Sequence, residues 1–307
     1  MIEVLDLTRR YGDLLAVDRL RFTIEPGTVL GLLGPNGAGK STTMKMITGF
    51  LAPSSGTARV FGHDIIEAPM KARQKLGYLP EGAPLYGELT VLRFLRFIAE
   101  ARGLDARRAR ERIDHVVERL SLAAVLGQTI ETLSKGFKRR VGLAQAILHD
   151  PPALLLDEPT DGLDPNQKDE VRRLIREMAS DKIIVVSTHI LEEVEALCTR
   201  AMIIARGRLL ADDTPQGLLK RSRYHRAVSL SVDKLEEAAS TLGALTESAE
   251  VEIRRGQLTV FPSSEGDLLA AVHRTVQASD WQVAQLQLEA GRLDDVFRRI
   301  TTDGEAA

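Results

Sequence analysis

The chain has 307 residues, a formal net charge of −2, 44% hydrophobic and 27% charged residues; this suits a globular protein of about two domains with an unstapled core and argues against a nucleic-acid protein held by bulk electrostatics. Its one cysteine, Cys198, leaves no internal disulfide and no Cys-x-x-Cys metal pattern, which fits a reducing cytoplasm. No apolar run approaches the ~18 residues of a membrane span, and the opening "MIEVLDLTRRYG" alternates like a strand and lacks the apolar block of a signal peptide.

In chain order, "IEVLDLTRRYG" and "LAVDRLRFTIEPG" read as two strands. "TVLGLLGPNGAGKSTTMKMITGF" reads as an apolar strand, a Gly-rich turn and a helix closed by Gly49, and "PSSGTARVFGHDI" as a turn and a strand. After "KLGYLPEGAPLYGELT" the pattern turns helical, with Thr90 as N-cap of "VLRFLRFIAEARG" and a second helix in "ARRARERIDHVVERL". "LSKGFKRRVGLAQAI" runs from flexible residues into an amphipathic helix; "PPALLLDEP" is a buried strand ending in acids, "DPNQKDEVRRLIREMAS" a capped helix, "KIIVVSTHI" a buried strand, and "AMIIARGRLLADD" a hairpin turning at Arg206-Gly207. The alternation of strands and helices predicts a parallel α/β core, with a helical insertion at about 84–150. After about Arg223 the pattern is β-α-β-β-α-β, the order of a small α+β ferredoxin-like domain, with "RLDDVFRRITT" as a final helix. We therefore expect domains at 1–222 and 223–307.

"GPNGAGKS" matches the phosphate-binding loop pattern G-x-x-x-x-G-K-[ST], in its proper setting between a strand and a helix. Gly34, Pro35, Asn36, Gly37, Ala38 and Gly39 form a loop whose backbone N–H groups curl round a polyphosphate. Lys40 sets a point charge on the β and γ phosphates, Ser41 offers a hydroxyl to Mg²⁺, and Thr42 follows in the same turn. Asp157, at the end of a buried strand, suits a Mg²⁺ ligand acting through water. Glu158 faces the other way in an extended chain and is positioned to polarise the water that attacks the γ phosphate. Two acids after a strand are by themselves equally a solvated strand end or a helix start; the phosphate loop makes them the second half of a nucleotide-hydrolysis site. The helix after "LSKG" presents unpaired N–H groups and about half a positive charge, a ready anion site.

The order of phosphate loop, "LSKG", "LLLDEP", "GLDP" and "STH" resembles the ATP-binding subunit of an ABC transporter over about residues 2–215. The resemblance implies a P-loop NTPase cassette: a parallel-sheet core, an antiparallel β subdomain and a helical insertion. It implies that Ser134 and Gly136 of one subunit cap the γ phosphate held by the phosphate loop of another. Tyr11 sits where an aromatic ring stacks on adenine, although a lone Tyr at a loop start is also an ordinary structural residue. Asp164 matches the loop linking two sites across a dimer, and it equally suits the N-cap of the next helix, with Pro165 at N1. His189 matches the switch histidine that touches the γ phosphate and orients the attacking water. Lys40, Glu158 and His189 are thus the catalytic residues implied, and Ser41, Asp157 and Glu81 the Mg²⁺ set.

Two positions depart from the family pattern. The signature Leu-Ser-Gly-Gly-Gln reads Leu133-Ser134-Lys135-Gly136-Phe137, and Glu81 in "GYLPE" stands where most members carry a Gln. A carboxylate still meets a hard cation, but it donates no hydrogen bond unless protonated. Leu85 and Tyr86 fall where the family receives a short helix of the membrane subunit, or else in the core of the insertion. Arg107, Arg108, Arg110 and Arg112 read as a solvated helix face, with anionic lipid headgroups the alternative. The whole points to a cytoplasmic ATPase on the inner face of the membrane. It would bind ATP and Mg²⁺, pair with itself or a paralogous ATPase subunit, and drive a polytopic permease on a separate chain. The signature form, "GYLPE" and "LDDVF" resemble bacterial export-type subunits of the multidrug and gliding-associated groups. The alternative is a nucleotide-gated binding module with slow turnover, for which Glu81 and Phe137 are the motive.

Overall fold

A computed structural model describes residues 1–263 and 266–303. It divides into two compact units, Met1–Asp212 and Asp213–Ala307. The first unit begins with β1 (Ile2–Tyr11), β2 (Leu14–Ile24), β3 (Val29–Leu33), α1 (Lys40–Ile47), β4 (Ser55–Val60), β5 (His63–Asp64), α2 (Pro69–Gln74) and β6 (Leu76–Leu79). It continues through α3 (Val91–Ala101), α4 (Ala106–Arg119), α5 (Lys135–Ile147), β7 (Ala153–Asp157), α6 (Pro165–Met178), β8 (Ile183–Thr188), α7 (Leu191–Leu197), β9 (Arg200–Ala205) and β10 (Arg208–Asp213).

Two sheets build this unit. β2-β1-β4-β5 is antiparallel, and its strands alternate buried and exposed residues because one face meets the core. The other sheet has the order β10-β9-β3-β8-β7-β6, with parallel pairing from β9 through β6. Its central strands, VLGLL, ALLLD and IIVVST, are buried at every position, as expected where both faces are covered. Alternate residues serve opposite faces: Leu154, Leu156, Ile184 and Val186 join the core under the helical insertion, while Ala153, Leu155, Ile183 and Val185 join the core under the antiparallel sheet.

The segment before residue 84 holds more structure than its sequence announces. α2 and β6 form there, and β6 is a parallel edge strand of only four residues. Such a short strand carries no readable period. Gly77 lets β6 approach α5 closely, since a Cβ there would lie 2.1 Å from the Ala146 carbonyl oxygen. The expected caps form: Thr90 and Asp164 accept hydrogen bonds from the N–H groups of Arg93 (3.3 Å) and Gln167 (2.9 Å), and Ser134 also proves to be a cap, accepting from Phe137 (3.3 Å).

The second unit carries α8 (Pro215–Leu219), β11 (Val228–Val232), α9 (Leu235–Gly243), β12 (Ser248–Arg254), β13 (Gln257–Pro262), α10 (Leu268–Ala278), β14 (Val283–Leu288) and α11 (Leu293–Asp303). Its antiparallel sheet has the order β12-β13-β11-β14. Val228, Leu230, Val260 and Trp281 pack with Ala238 and Leu242 of α9 and Val272 of α10 in a separate core.

Because backbone atoms cannot yield at the β6–α5 contact, Gly77→Ala is expected to cost roughly 1–3 kcal/mol or more through overpacking. Urea denaturation checks this: the midpoint falls while the slope is retained.

Candidate nucleotide-binding site

Leu33 pairs with Thr188 across β3 and β8, and Asp157 with Ser187 across β7 and β8. The three strands therefore end at one level, and the segments that leave them meet. A cleft of about 410 Å³ opens there, lined by Tyr11, Asn36, Gly37, Ala38, Gly39, Lys40, Ser41, Thr42, Glu81 and Glu158, with Leu14 and Ala16 at its side.

Gly39 is the N-cap of α1, with φ +104 and no side-chain cap. A Cβ there would meet the Ala16 carbonyl at 2.5 Å. The uncapped N–H groups of the first turn of α1 are thus left to an anion. Lys40 is 7% exposed. Its ammonium donates to the carbonyls of Gly34 at 2.6 Å and Pro35 at 3.0 Å, so these two residues shape the loop from beneath. Burial pushes the Lys40 pKa down, while the carboxylates of Glu158, Asp157 and Glu81 push it back up.

Ser41 Oγ donates to Asp157 Oδ1 at 3.3 Å, and Ser187 Oγ donates to the same oxygen. Asp157 Oδ2 is buried and has no partner among the described residues. A buried, unpaired carboxylate oxygen beside a hydroxyl, with Glu81 at the same cleft, is an all-oxygen donor set that fits Mg²⁺. Among the described residues no cluster of three or more His, Cys, Asp or Glu side chains could hold a metal alone. A magnesium here would share oxygens with a phosphate, as that ion commonly does.

Glu158 sits at φ +50, a left-handed conformation uncommon for a residue with a Cβ. Its N–H donates to the Ser187 carbonyl at 3.1 Å. Its carboxylate Oε1 lies 2.8 Å from Nδ1 of His189. The turn aims the carboxylate into the cleft and away from the strand axis, beside the expected switch histidine.

Tyr11 is 44% exposed at the end of β1, and the Arg9 guanidinium lies 4.5 Å from its ring centroid. Ser134, Gly136 and Asp164 do not line this cleft; Ser134 and Asp164 cap α5 and α6. Leu85 packs on the core of the insertion, whereas Tyr86 is exposed against Phe94 and Phe97. Arg107, Arg108 and Arg110 are exposed, but Arg112 turns inward to the carbonyls of Leu148 (2.9 Å) and Ile147 (3.0 Å), at the C-terminus of α5.

Three supporting residues were not legible beforehand. Ser187 orients Asp157. Glu193 is buried and accepts from Thr160 and, at 2.9 Å, from Thr188, tying the chain after Glu158 to the strand before His189. Arg139 is buried beneath the acids, and burial pushes its pKa down while Asp161, Asp157, Glu158 and Glu81 pull it back. Its only sequence signal is a basic residue inside a helix that is otherwise mostly buried.

Loop, lysine, hydroxyl and acids on the carboxyl ends of a parallel sheet define a P-loop nucleotide-binding domain. A family model described as ABC transporter matches residues 17–161. The chain is 34% identical over 303 residues to the Nod factor export ATP-binding protein I of Cupriavidus metallidurans, covering 98% of this chain and 97% of that protein. It is 42% identical to the probable multidrug ABC transporter ATP-binding protein YbhF of Escherichia coli over 223 residues, 72% of this chain; it spans only 38% of that relative's length. A solved structure titled as the ATP binding subunit of an ABC transporter aligns with TM-score 0.68 and 32% identity over 72% of this chain and 92% of that one. The chain belongs to the ATP-binding proteins of ABC transporters, a family of ATPases, as its ordered motifs led us to expect.

Replacing Asp157 by Asn should weaken Mg²⁺-supported ATP binding by about 10–100-fold, the usual loss for a group that orients metal ligands. Binding of ATP in chelator should change far less. Titration of a fluorescent ATP analogue with and without Mg²⁺ measures both.

Proposed function

We propose that this chain is the ATP-hydrolysing subunit of an export-type ABC transporter. The observation that carries the reading is the 2.8 Å contact of Glu158 with His189 at a cleft that also holds Lys40, Ser41 and Glu81. The α1 amides and Lys40 hold the β and γ phosphates. Ser41, Asp157 and Glu81 hold Mg²⁺, which when bound neutralises charge on the phosphate oxygens. Glu158 orients the attacking water and takes its proton. His189 steadies that carboxylate and touches the γ phosphate. The transition state spreads negative charge over the phosphoryl oxygens, and these groups are arranged to stabilise it. Tyr11, at the mouth of the cleft, stacks on adenine.

In this reading two copies, or one copy and a paralogue, enclose two Mg-ATP. Ser134 and Gly136 of each reach the nucleotide of the other, and Asp164 lies in the segment that links the sites. The permease is a separate polytopic chain, and this subunit sits on the inner face of the membrane. Among the described residues no helix is long and apolar enough to cross a bilayer. A groove of about 690 Å³ supports docking of a short permease helix; Phe50 (76% exposed) and Tyr86 (52% exposed) line it with Phe94 and Arg102. Export rather than import rests on the names of the relatives and on the "LSKG" and "GYLPE" forms. We also read the second unit as ferredoxin-like, supported by its β-α-β-β-α-β order and antiparallel sheet.

Glu158→Gln should leave ATP binding and dimerisation intact and lower steady-state phosphate release by about 10²–10⁴-fold, the range of a general base. Undiminished hydrolysis would sink the role assigned to Glu158. A tagged chain drawn from detergent-solubilised native membranes should bring down a polytopic protein in stoichiometric amount. Recovery of a soluble homodimer alone, with and without ATP, would count against the transporter reading.

A further inference from the structure

Arg139, in the second turn of α5, is 5% exposed, yet none of its hydrogen bonds goes to a carboxylate. Its guanidinium donates to backbone carbonyls instead. Nη2 bonds the carbonyls of Asp157 (2.5 Å) and Glu158, Nε that of Pro159 (3.4 Å), and Nη1 that of Pro80 (3.3 Å). Pro80 directly precedes Glu81. One buried cation therefore holds the backbone at or next to all three acids of the site. A second link lies one helical turn toward the N-terminus. Lys135 Nζ bonds Asp161 Oδ2 at 2.9 Å, and Gly162 packs so closely on the Lys135 stem that a Cβ would lie 2.5 Å from its Cδ. Residues 157–161 are thus fastened at both ends to a single helix, the one whose N-cap is Ser134.

The geometry points to Arg139 as a positioning residue that makes the signature helix and the segment carrying Asp157 and Glu158 move as one body, with Lys135 as a second, exposed tether. The choice of acceptors matters. Carbonyls leave the Glu158 carboxylate free for water. Only a planar fork with five donors spans such a set of carbonyls; a lysine ammonium is a point charge. Resting on the function proposed above, in which the signature end of α5 meets a nucleotide held by a second copy, the tether relays contact at that distant nucleotide to the chain's own water-activating carboxylate.

The test uses the full chain and three variants, Arg139→Met, Arg139→Lys and Lys135→Ala. It reads amide hydrogen exchange, kcat and KM for Mg-ATP, and affinity for a fluorescent ATP analogue. Loss of the fork in Arg139→Met should speed exchange at 158–162 while β8 and α6 keep their protection. It should lower kcat by about a hundredfold, the cost of an ångström-scale misplacement, with KM and analogue affinity within about twofold of the parent. Arg139→Lys should restore part of kcat, and Lys135→Ala should lower kcat with KM unchanged. Parental kcat and exchange in a folded Arg139→Met would overturn the proposal. So would a fall in kcat matched by lost affinity and faster exchange throughout the unit, which marks a merely structural residue. If Arg139→Met does not fold, the other two decide: slowed turnover at parental KM supports the tether, and parental turnover in both overturns it. If the parent protein releases no phosphate, the proposed function falls, while the exchange pattern still judges the tether.

Discussion

The parallel register of β3, β8 and β7 is the constraint on which the rest of the first unit depends. Pairing Leu33 with Thr188 and Asp157 with Ser187 brings three carboxyl ends to one level. The phosphate loop, Glu158 and His189 each begin where a strand stops, so a one-residue slip would turn every side chain to the other face and dissolve the site. The register is secured by burial on both faces. Adjacent residues of β7 and β8 feed opposite cores, and the parallel ladder fixes which of them stand opposite each other.

Around this edge three buried or half-buried charged side chains serve as fasteners. Glu193 joins two hydroxyls from the segments flanking the site, Arg112 closes the carbonyl end of α5, and Arg139 gathers carbonyls beneath the acids. A buried polar group without partners is costly. The unpaired Oδ2 of Asp157, on a carboxylate that the Ser41 hydroxyl also meets, fits a ligand the protein alone does not supply. The arrangement makes the site a property of α5, β7, β8 and the phosphate loop together.

Much of this was legible because local rules and global fold agree. Apolar runs bounded by turns became the central strands. Thr90 and Asp164 became caps. The hairpin turn fell at Arg206-Gly207, where both residues adopt positive φ. The misreadings have equally local causes. β6 is too short to show a period, and α2 is a six-residue helix before it. Arg112 reads as one more solvated arginine, although its three-residue offset from Ala109 turns it toward the end of α5. Leu85 and Tyr86 are adjacent, so pattern alone gave no reason for one to face the core and the other the groove.

What the sequence determined by itself was the family, through the order of its motifs: a phosphate-loop pattern, acids after a buried strand and a histidine after another. Those are short motifs set by local residue order, so spacing suffices to read them. The tertiary structure alone decided which side chains serve those motifs from elsewhere. Ser187 meets Asp157 across a sheet, and Arg139 reaches the carbonyl of Pro80 from a position 59 residues away in the chain. Contacts to backbone carbonyls leave no trace in residue type, because every residue has one. For that reason the support of this site could be seen only once the chain was folded.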